Sequence, residues 1–302
     1  MFASGLLHGA NIMGVKDEHI GLLFIAPALL VLLALVAYPM IDVVFLSLHR
    51  VDVFAGFKLA YLGLQNYIDA FSDDLFCTAF INTLQFVVGA TVLEVLLGLL
   101  LAIVFSIEFR GRDRLVPLIV VPMMLPIVVI SSFWRIMYHT EFGIINALLK
   151  LVGLPPVNWL GDTHTAMLAI IIVDVWQYTP FAFLVIYAGI QSIPPSIIDA
   201  ALVDGASLPQ IVRYIVLPLV KRYILVVAML RIIDTFRIFD KVFALTGGGP
   251  GSATEVLSFV IYKNAFRYYE FGYAASQAVI MLVTVLAIVI VYLKIARRGE
   301  QI

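Results

Sequence analysis

Apolar positions in this chain gather into long unbroken runs, with the polar positions collected in short stretches between them. Six runs exceed the roughly 20 helical residues that cross a hydrocarbon core. They cover residues 20–48, 77–107, 115–138, 165–190, 208–245 and 273–295. The pattern predicts an all-α polytopic membrane protein. Kinks are expected at Pro27 and Pro39 in the first run and at Pro117, Pro122 and Pro126 in the third. Membrane helices tolerate such prolines because neighbouring groups satisfy the freed carbonyls. The first run follows Lys16 but is far longer than the 7–15 residues or so of a signal-peptide core, so it is expected to remain as a span.

Composition agrees. Of 302 residues, 63% are hydrophobic and 13% charged, where a soluble domain carries about a quarter charged. The mean hydropathy is +1.06. A net charge of −1 gives no basis for a nucleic-acid partner. Cys77, the one cysteine, permits neither an internal disulfide nor a cysteine metal cluster. His8, His19, His49, His139 and His164 are scattered over the tail and the run ends, so no metal site is expected.

Basic residues near short loops set the expected orientation. Arg110, Arg112 and Arg114 crowd one connection; Arg213, Lys221 and Arg222 follow the fourth run; Lys294, Arg297 and Arg298 follow the sixth. These regions alternate with the others, which places them, and both termini, in the cytoplasm. The expected division is a cytoplasmic tail at 1–18, a six-helix domain at 19–298 and a cytoplasmic end at 299–302. On the outer side, residues 50–76 and 139–162 mix aromatics with turn residues, as short interfacial helices do. Gly247 to Gly251 must form a loop. The aromatic stretch 259–273 fits either an amphipathic helix or the outer end of the sixth span.

Between the fourth and fifth runs lies "DAALVDGASLPQIVRYIVLP", residues 199–218. Ser196 with Asp199, after Pro194 and Pro195, has the form of a capping box opening a short helix. Gly205 can end that helix in the left-handed conformation. Ser207 with Gln210 forms a second capping box, with Pro209 in the first turn. Ala200, Ala201, Gly205 and Ala206 would let another surface approach, and Asp199 and Asp204 offer acceptors to its bases. An ordinary polar re-entry loop would look similar.

The order Asp199-Ala200-Ala201, three residues, Gly205, nine residues, Ile215-Val216-Leu217-Pro218 resembles the EAA motif of binding-protein-dependent ABC importer permeases. Asp199 stands where the family has Glu. The stretch "FRIFDKVFALTGGGPGSATEVLSFVIYKNAF" resembles carbohydrate-type permeases related to the maltose and glycerol-phosphate importers. The likeness runs over about residues 21–298. It implies a type I ABC importer permease fold with a cytoplasmic coupling helix at about 195–206, seated in an ATPase groove. Asp199, Ala200, Ala201, Asp204, Gly205 and Ala206 would form that contact. It also implies a second homologous permease, two ATPase subunits that bind ATP and Mg, and an extracytoplasmic solute-binding protein. The residues allow this division of labour: no G-x-x-x-x-G-K-[ST], H-E-x-x-H or G-x-S-x-G occurs, so the chain is not expected to be an enzyme or to hold a cofactor.

Charges inside the runs are the remaining candidates. Arg231, Asp234 and Arg237 recur every three residues, followed by Asp240 and Lys241, an alternating stripe on one helical face. A charge at mid-bilayer costs about 3 kcal/mol, so the stripe must face the bundle, a partner or a wet cavity. It would either border the translocation path or lock this subunit to its partner. Asp174, Gln177 and Tyr178 in "DVWQYTPFAF" suit sugar hydroxyls and a sugar's apolar face, or simply bond within the bundle. Trp134 with Arg135, and Glu94, are further isolated polar or aromatic positions. The resulting expectation is an inner-membrane permease moving a carbohydrate or polyol derivative by alternating access. The rivals are a permease for a phosphorylated polyol and an ion-coupled secondary transporter, which would need an internal repeat or a midplane ion site.

Overall fold

The computed structural model describes residues 17–298, with side chains from 24 to 296. Most of the expected tail at 1–18 and the end at 299–302 lie outside the described residues. The first run forms α1 (Asp17–Leu32) and α2 (Tyr38–Ser47), joined by a widened π turn at Leu33–Ala37. Pro39 cannot donate to the Leu35 carbonyl, and the widened turn keeps its ring clear of it. The irregularity therefore precedes Pro39, while Pro27 stays inside regular helix.

Segment 49–72 is not wholly helical, which corrects the expectation of short helices there, in a chain that is otherwise helical. Strands β1 (His49–Asp52) and β2 (Lys58–Tyr61) pair antiparallel, His49 opposite Tyr61. Gly56 and Phe57 take φ +80 and +60 in the connecting turn. Helix α3 (Gln65–Ser72) follows, and Asp73 then caps α4 (Asp74–Ser106) by accepting from the Leu75 N–H at 2.8 Å.

The third run is broken rather than bent. Helices α5 (Arg112–Met124) and α6 (Ile127–Met137) meet at 96°. Pro117 and Pro122 remain inside α5, but Leu125, forced out of the helical region by Pro126, has ψ 141. Amphipathic α7 (Ile144–Leu151) leaves Ile144, Leu148 and Leu151 exposed. Helix α8 (Ala166–Gln191) is the most enclosed span. Then come α9 (Pro195–Val203), α10 (Leu208–Ile211), a π turn at Val212–Val216 and α11 (Leu217–Thr235). That second π turn stands two residues before Pro218, as the first stands before Pro39.

The fifth run, expected to continue to residue 245, ends at Thr235. After a break, α12 (Asp240–Leu245) begins, and the Gly-rich loop leads to α13 (Leu257–Tyr262). The segment 259–273 is a separate short helix, a π turn at Lys263–Arg267 and a break at Tyr269, φ +60, before α14 (Phe271–Arg298). Among the described residues, four helices are long and apolar enough to span a membrane, and the broken α5–α6 pair would make five. Helix α11 falls outside that group because Lys221, Arg222, Arg231 and Asp234 lie within its 19 residues.

Packing centres on α4 against α8, with α11 across both, α5 on α8, and α14 on α2 and α3. Close approach of α4 and α8 depends on Gly98: a β-carbon there would stand 2.5 Å from Ala182 Cβ and 2.8 Å from the Phe183 nitrogen. Small residues play this part in membrane helices because lipid supplies no hydrophobic drive for association. Three apolar cores result. One, with Ala70, Phe76, Leu257 and Ile280, lies against α14; the two along α4 and α8 hold Phe86, Ala90, Ile170, Val173 and Phe259, and Ala102, Phe183, Ile186, Val220 and Val227.

Candidate functional site

Between the two cores along α4 and α8 lies a seam of charge. Glu94 of α4, Asp174 of α8, Arg231 of α11 and Lys241 of α12 are each at least 96% buried. Arg231 is the hub. Its Nε donates to Glu94 Oε2 at 2.5 Å and its Nη2 to Glu94 Oε1 at 2.9 Å and Asp174 Oδ2 at 2.8 Å. Its Nη1 donates to Asp234 Oδ2 at 2.7 Å. Lys241 Nζ donates to Asp174 Oδ1. The Tyr178 ring carries both cations, Arg231 Cζ at 4.1 Å and Lys241 Nζ at 4.5 Å from its centroid. The planar fork donates four hydrogen bonds to three carboxylates, one more than the three donors of a lysine.

The network opens outward through Asp234, 44% exposed, which also accepts from Arg237 Nη2 at 3.0 Å; Arg237 is 68% exposed. Beside it lies a cavity of about 210 Å³ lined by Asp174, Tyr178, Arg231, Asp234, Arg237 and Lys241. Asp240, Thr235, Phe239 and aliphatic Ile127 and Ile238 complete its wall. Ordinary i,i+3 spacing joins Arg231, Asp234 and Arg237. It does not extend to Lys241, which arrives from α12 after the chain has turned, and Asp240 caps no such stripe.

Two expected residues lie apart. Trp134 packs edge-on against Trp176 at 5.7 Å, in an apolar recess with Leu97, Leu100 and Leu118. Gln177 is buried but does not line the cavity, and its Oε1 is without a hydrogen bond. Conversely, Glu94 and Lys241 belong to the network, although the sequence offered Glu94 only as an isolated acid. The signal was present: an ionisable group in an apolar helix needs a partner of opposite charge.

The polar elbow after α8 is the second candidate. Pro194 precedes α9 without a side-chain cap and Pro195 starts it, so Ser196 lies inside the helix rather than capping it. At the other end the Gly205 N–H donates to Leu202 O at 3.1 Å and the Ala206 N–H to Ala201 O at 2.9 Å. With Gly205 at φ +79, this is a Schellman turn. The Ser207 N–H donates to Gln210 Oε1 at 2.7 Å, one half of the second capping box. Ile198, Ala201 and Ala206 pack on the bundle. Asp199, Ala200, Asp204 and Gly205 face outward, with Leu202 and Val203 exposed beside them.

Paired acidic and basic side chains buried beside a cavity, in a bundle of long apolar helices, suit a membrane protein that passes a polar solute. The chain belongs to the family of binding-protein-dependent transport system inner membrane components, whose model matches residues 94–299. It is 37% identical over 285 residues to the trehalose/maltose transport system permease protein MalF of Thermococcus litoralis, covering 93% of this chain and 95% of that one. Over 296 residues it is 35% identical to the probable ABC transporter permease protein YurN of Bacillus subtilis, covering 95% and 99%. Its fold superposes with a TM-score of 0.82 on a chain of a bacterial ABC transporter involved in the import of the acidic polysaccharide alginate. That match covers 94% of this chain and 97% of the other at 23% identity. The fold is therefore that of the ABC importer permeases, in a multi-pass membrane protein.

Proposed function

We propose that this chain is one permease half of an ATP-driven carbohydrate importer, taking a neutral sugar or polyol from an extracytoplasmic binding protein into the cytoplasm by alternating access. The observation that carries the reading is the elbow at 195–206. It is a short helix closed by a Schellman turn, presenting Asp199, Asp204 and exposed Leu202 and Val203 away from the bundle. Such a rigid projection suits a coupling helix, seated in one of two ATPase subunits that bind ATP and Mg. A second, homologous permease completes the pathway. In this reading six spans cross the membrane, with the α5–α6 pair and the charged α11 counted among them. Both termini and the elbow are cytoplasmic, since Arg110, Arg112 and Arg114 and the elbow's basic neighbours share that side.

The pathway residues in this reading are Asp174, Tyr178, Arg231, Asp234 and Arg237, with Lys241 added. Three acids and three bases line the cavity, so it carries no net charge and alternates donors with acceptors. Hydroxyl groups can both donate and accept there, whereas a phosphate would meet carboxylates as often as guanidinium groups. This favours a neutral solute over a phosphorylated polyol. The name of one relative, a trehalose/maltose permease, supports a sugar; the structural neighbour's import of acidic alginate leaves the solute's charge to be judged from the cavity.

Uptake into vesicles containing this chain, its companion permease, the ATPases and the binding protein tests the reading. Accumulation of labelled neutral sugar should require ATP and every subunit. Accumulation by this chain alone, driven by a proton or sodium gradient, would assign it instead to the ion-coupled transporters.

A further inference from the structure

Helix α4 ends at Ser106 and α5 starts at Arg112. A connection this short between two apolar helices must lie at the membrane surface, level with lipid headgroups. Phe109 fixes its depth by packing edge-on, at 5.3 Å, against buried Phe105, which in turn meets Phe183 at 5.4 Å. Ile107 and Leu115, 50% and 41% exposed, flank it with apolar surface. Around this anchor Arg110, Arg112 and Arg114 border a cavity of about 730 Å³ walled entirely by residues 108–114.

The arginines are differently committed. Arg112 Nε reaches Asp113 Oδ1 at 3.4 Å. Among the described residues, neither Arg110 nor Arg114 has a hydrogen bond or ion pair from its side chain. Elsewhere on the same expected side, Arg222 donates to the Tyr223 hydroxyl at 3.1 Å and Arg213 lies over the Tyr214 ring. The α4–α5 loop thus brings two guanidinium groups without such a bond within five residues of each other, beside Glu108 and a largely exposed Asp113.

We propose that the α4–α5 loop is a binding site for an anionic phospholipid, with Arg110 and Arg114 on the headgroup phosphate and the acyl chains along Ile107, Phe109 and Leu115. Guanidinium forks match phosphate oxygens two at a time. Exposed apolar residues beside the arginines favour an amphiphile over an acidic protein surface, which would leave them facing water. Each basic residue at an anionic membrane surface contributes about five-fold in affinity, so two give about thirty-fold.

The test uses the intact importer, purified with its companion subunits from nanodiscs of equimolar phosphatidylglycerol and phosphatidylcholine, with retained lipid counted by native mass spectrometry. The wild type should retain phosphatidylglycerol selectively. Arg110→Gln with Arg114→Gln should lower that retention about thirty-fold, while the double Lys variant keeps most of it. Equal retention of both lipids, or no loss in the Gln variant, overturns the site. Displacement of the lipid by millimolar inorganic phosphate at constant ionic strength overturns the lipid as its natural occupant, leaving a free-anion site. Loss of the ATPase subunits with phosphatidylglycerol retained overturns it in favour of a protein contact. Should the Gln variant not assemble, a salt titration of the wild type decides: screening must release the lipid, and indifference to salt overturns the proposal.

Discussion

Replacing Arg231 with methionine removes one side chain that donates four hydrogen bonds to three carboxylates. The loss is uneven. Asp174 keeps Lys241, and Asp234 keeps Arg237 and solvent. Among the described residues Glu94 keeps no cation: it is wholly buried, both its oxygens are bonded by Arg231, and the neighbour left to it is another carboxylate, Asp174. Stranding one member of a buried ion pair costs about 3–5 kcal/mol, so Arg231→Met should lower stability by that amount, a fall of about 10 °C in melting temperature. Glu94→Met alone should cost less, because Arg231 retains Asp174 and Asp234. The double variant Glu94→Met, Arg231→Met removes charge in a balanced way and should return to within about 2 kcal/mol of wild type. Thermal melts of the detergent-solubilised complex, arranged as a double-mutant cycle, give the coupling directly. A single variant melting with the wild type, or a double variant no better than Arg231→Met, would refute the assignment of Glu94 as the dependent partner.

Three further outcomes follow from named contacts. Gly205→Val places a β-branched residue at φ +79, and since no chain atom lies within 4 Å of its β-carbon, the penalty is backbone strain alone, about 1–3 kcal/mol; ATP hydrolysis should continue while uptake falls, and normal uptake would count against a rigid elbow. Asp199→Ala should lower co-purification of the ATPase subunit several-fold and leave the ranking of transported sugars unchanged; a changed ranking with full ATPase retention would sink the docking role. Gly98→Val must push α4 from α8, since even a β-carbon would meet Ala182 Cβ at 2.5 Å; a loss of about 1–3 kcal/mol or more is expected, and an unchanged melting curve would show that the helices are not held so closely.

The spans were legible because length and apolarity are properties of contiguous residues. So was the elbow, where Gly205 and the Ser207–Gln210 pair are local signals acting on their own backbone. Ser196 misled because Pro194 takes the cap position and Pro195 the first helical one. The three prolines of the third run look alike in sequence. Only Pro126 breaks the helix, as Leu125 before it turns extended, and that choice depends on how α5 and α6 pack against α8 and α12. Glu94 was the least readable: its partner is 137 residues away, and nothing on α4 says which span will supply the cation. Lys241 was misplaced for the opposite reason. Continuing the three-residue rhythm past Arg237 assumed an unbroken helix, but the chain leaves α11 at Thr235 and returns Lys241 to Asp174 from α12.

That return explains why the break and the charges occur together. The α10–α11 segment runs from the elbow to Thr235, interrupted by one widened turn, so under the proposed coupling role it is the element that would carry a displacement of the elbow to Arg231. At Arg231 the segment is fastened to α4 by Glu94 and to α8 by Asp174, both out of water, where exchanging partners costs several kcal/mol. Asp234 is different: half exposed and shared between Arg231 and Arg237, it can trade either partner for solvent at the small cost of a surface pair. The weak joint thus sits where α11 stops, at the cavity, and not inside the bundle. A push on the elbow would move α4, α8 and α11 as one body through Glu94 and Asp174, with rearrangement confined to the Asp234–Arg237 edge beside the cavity.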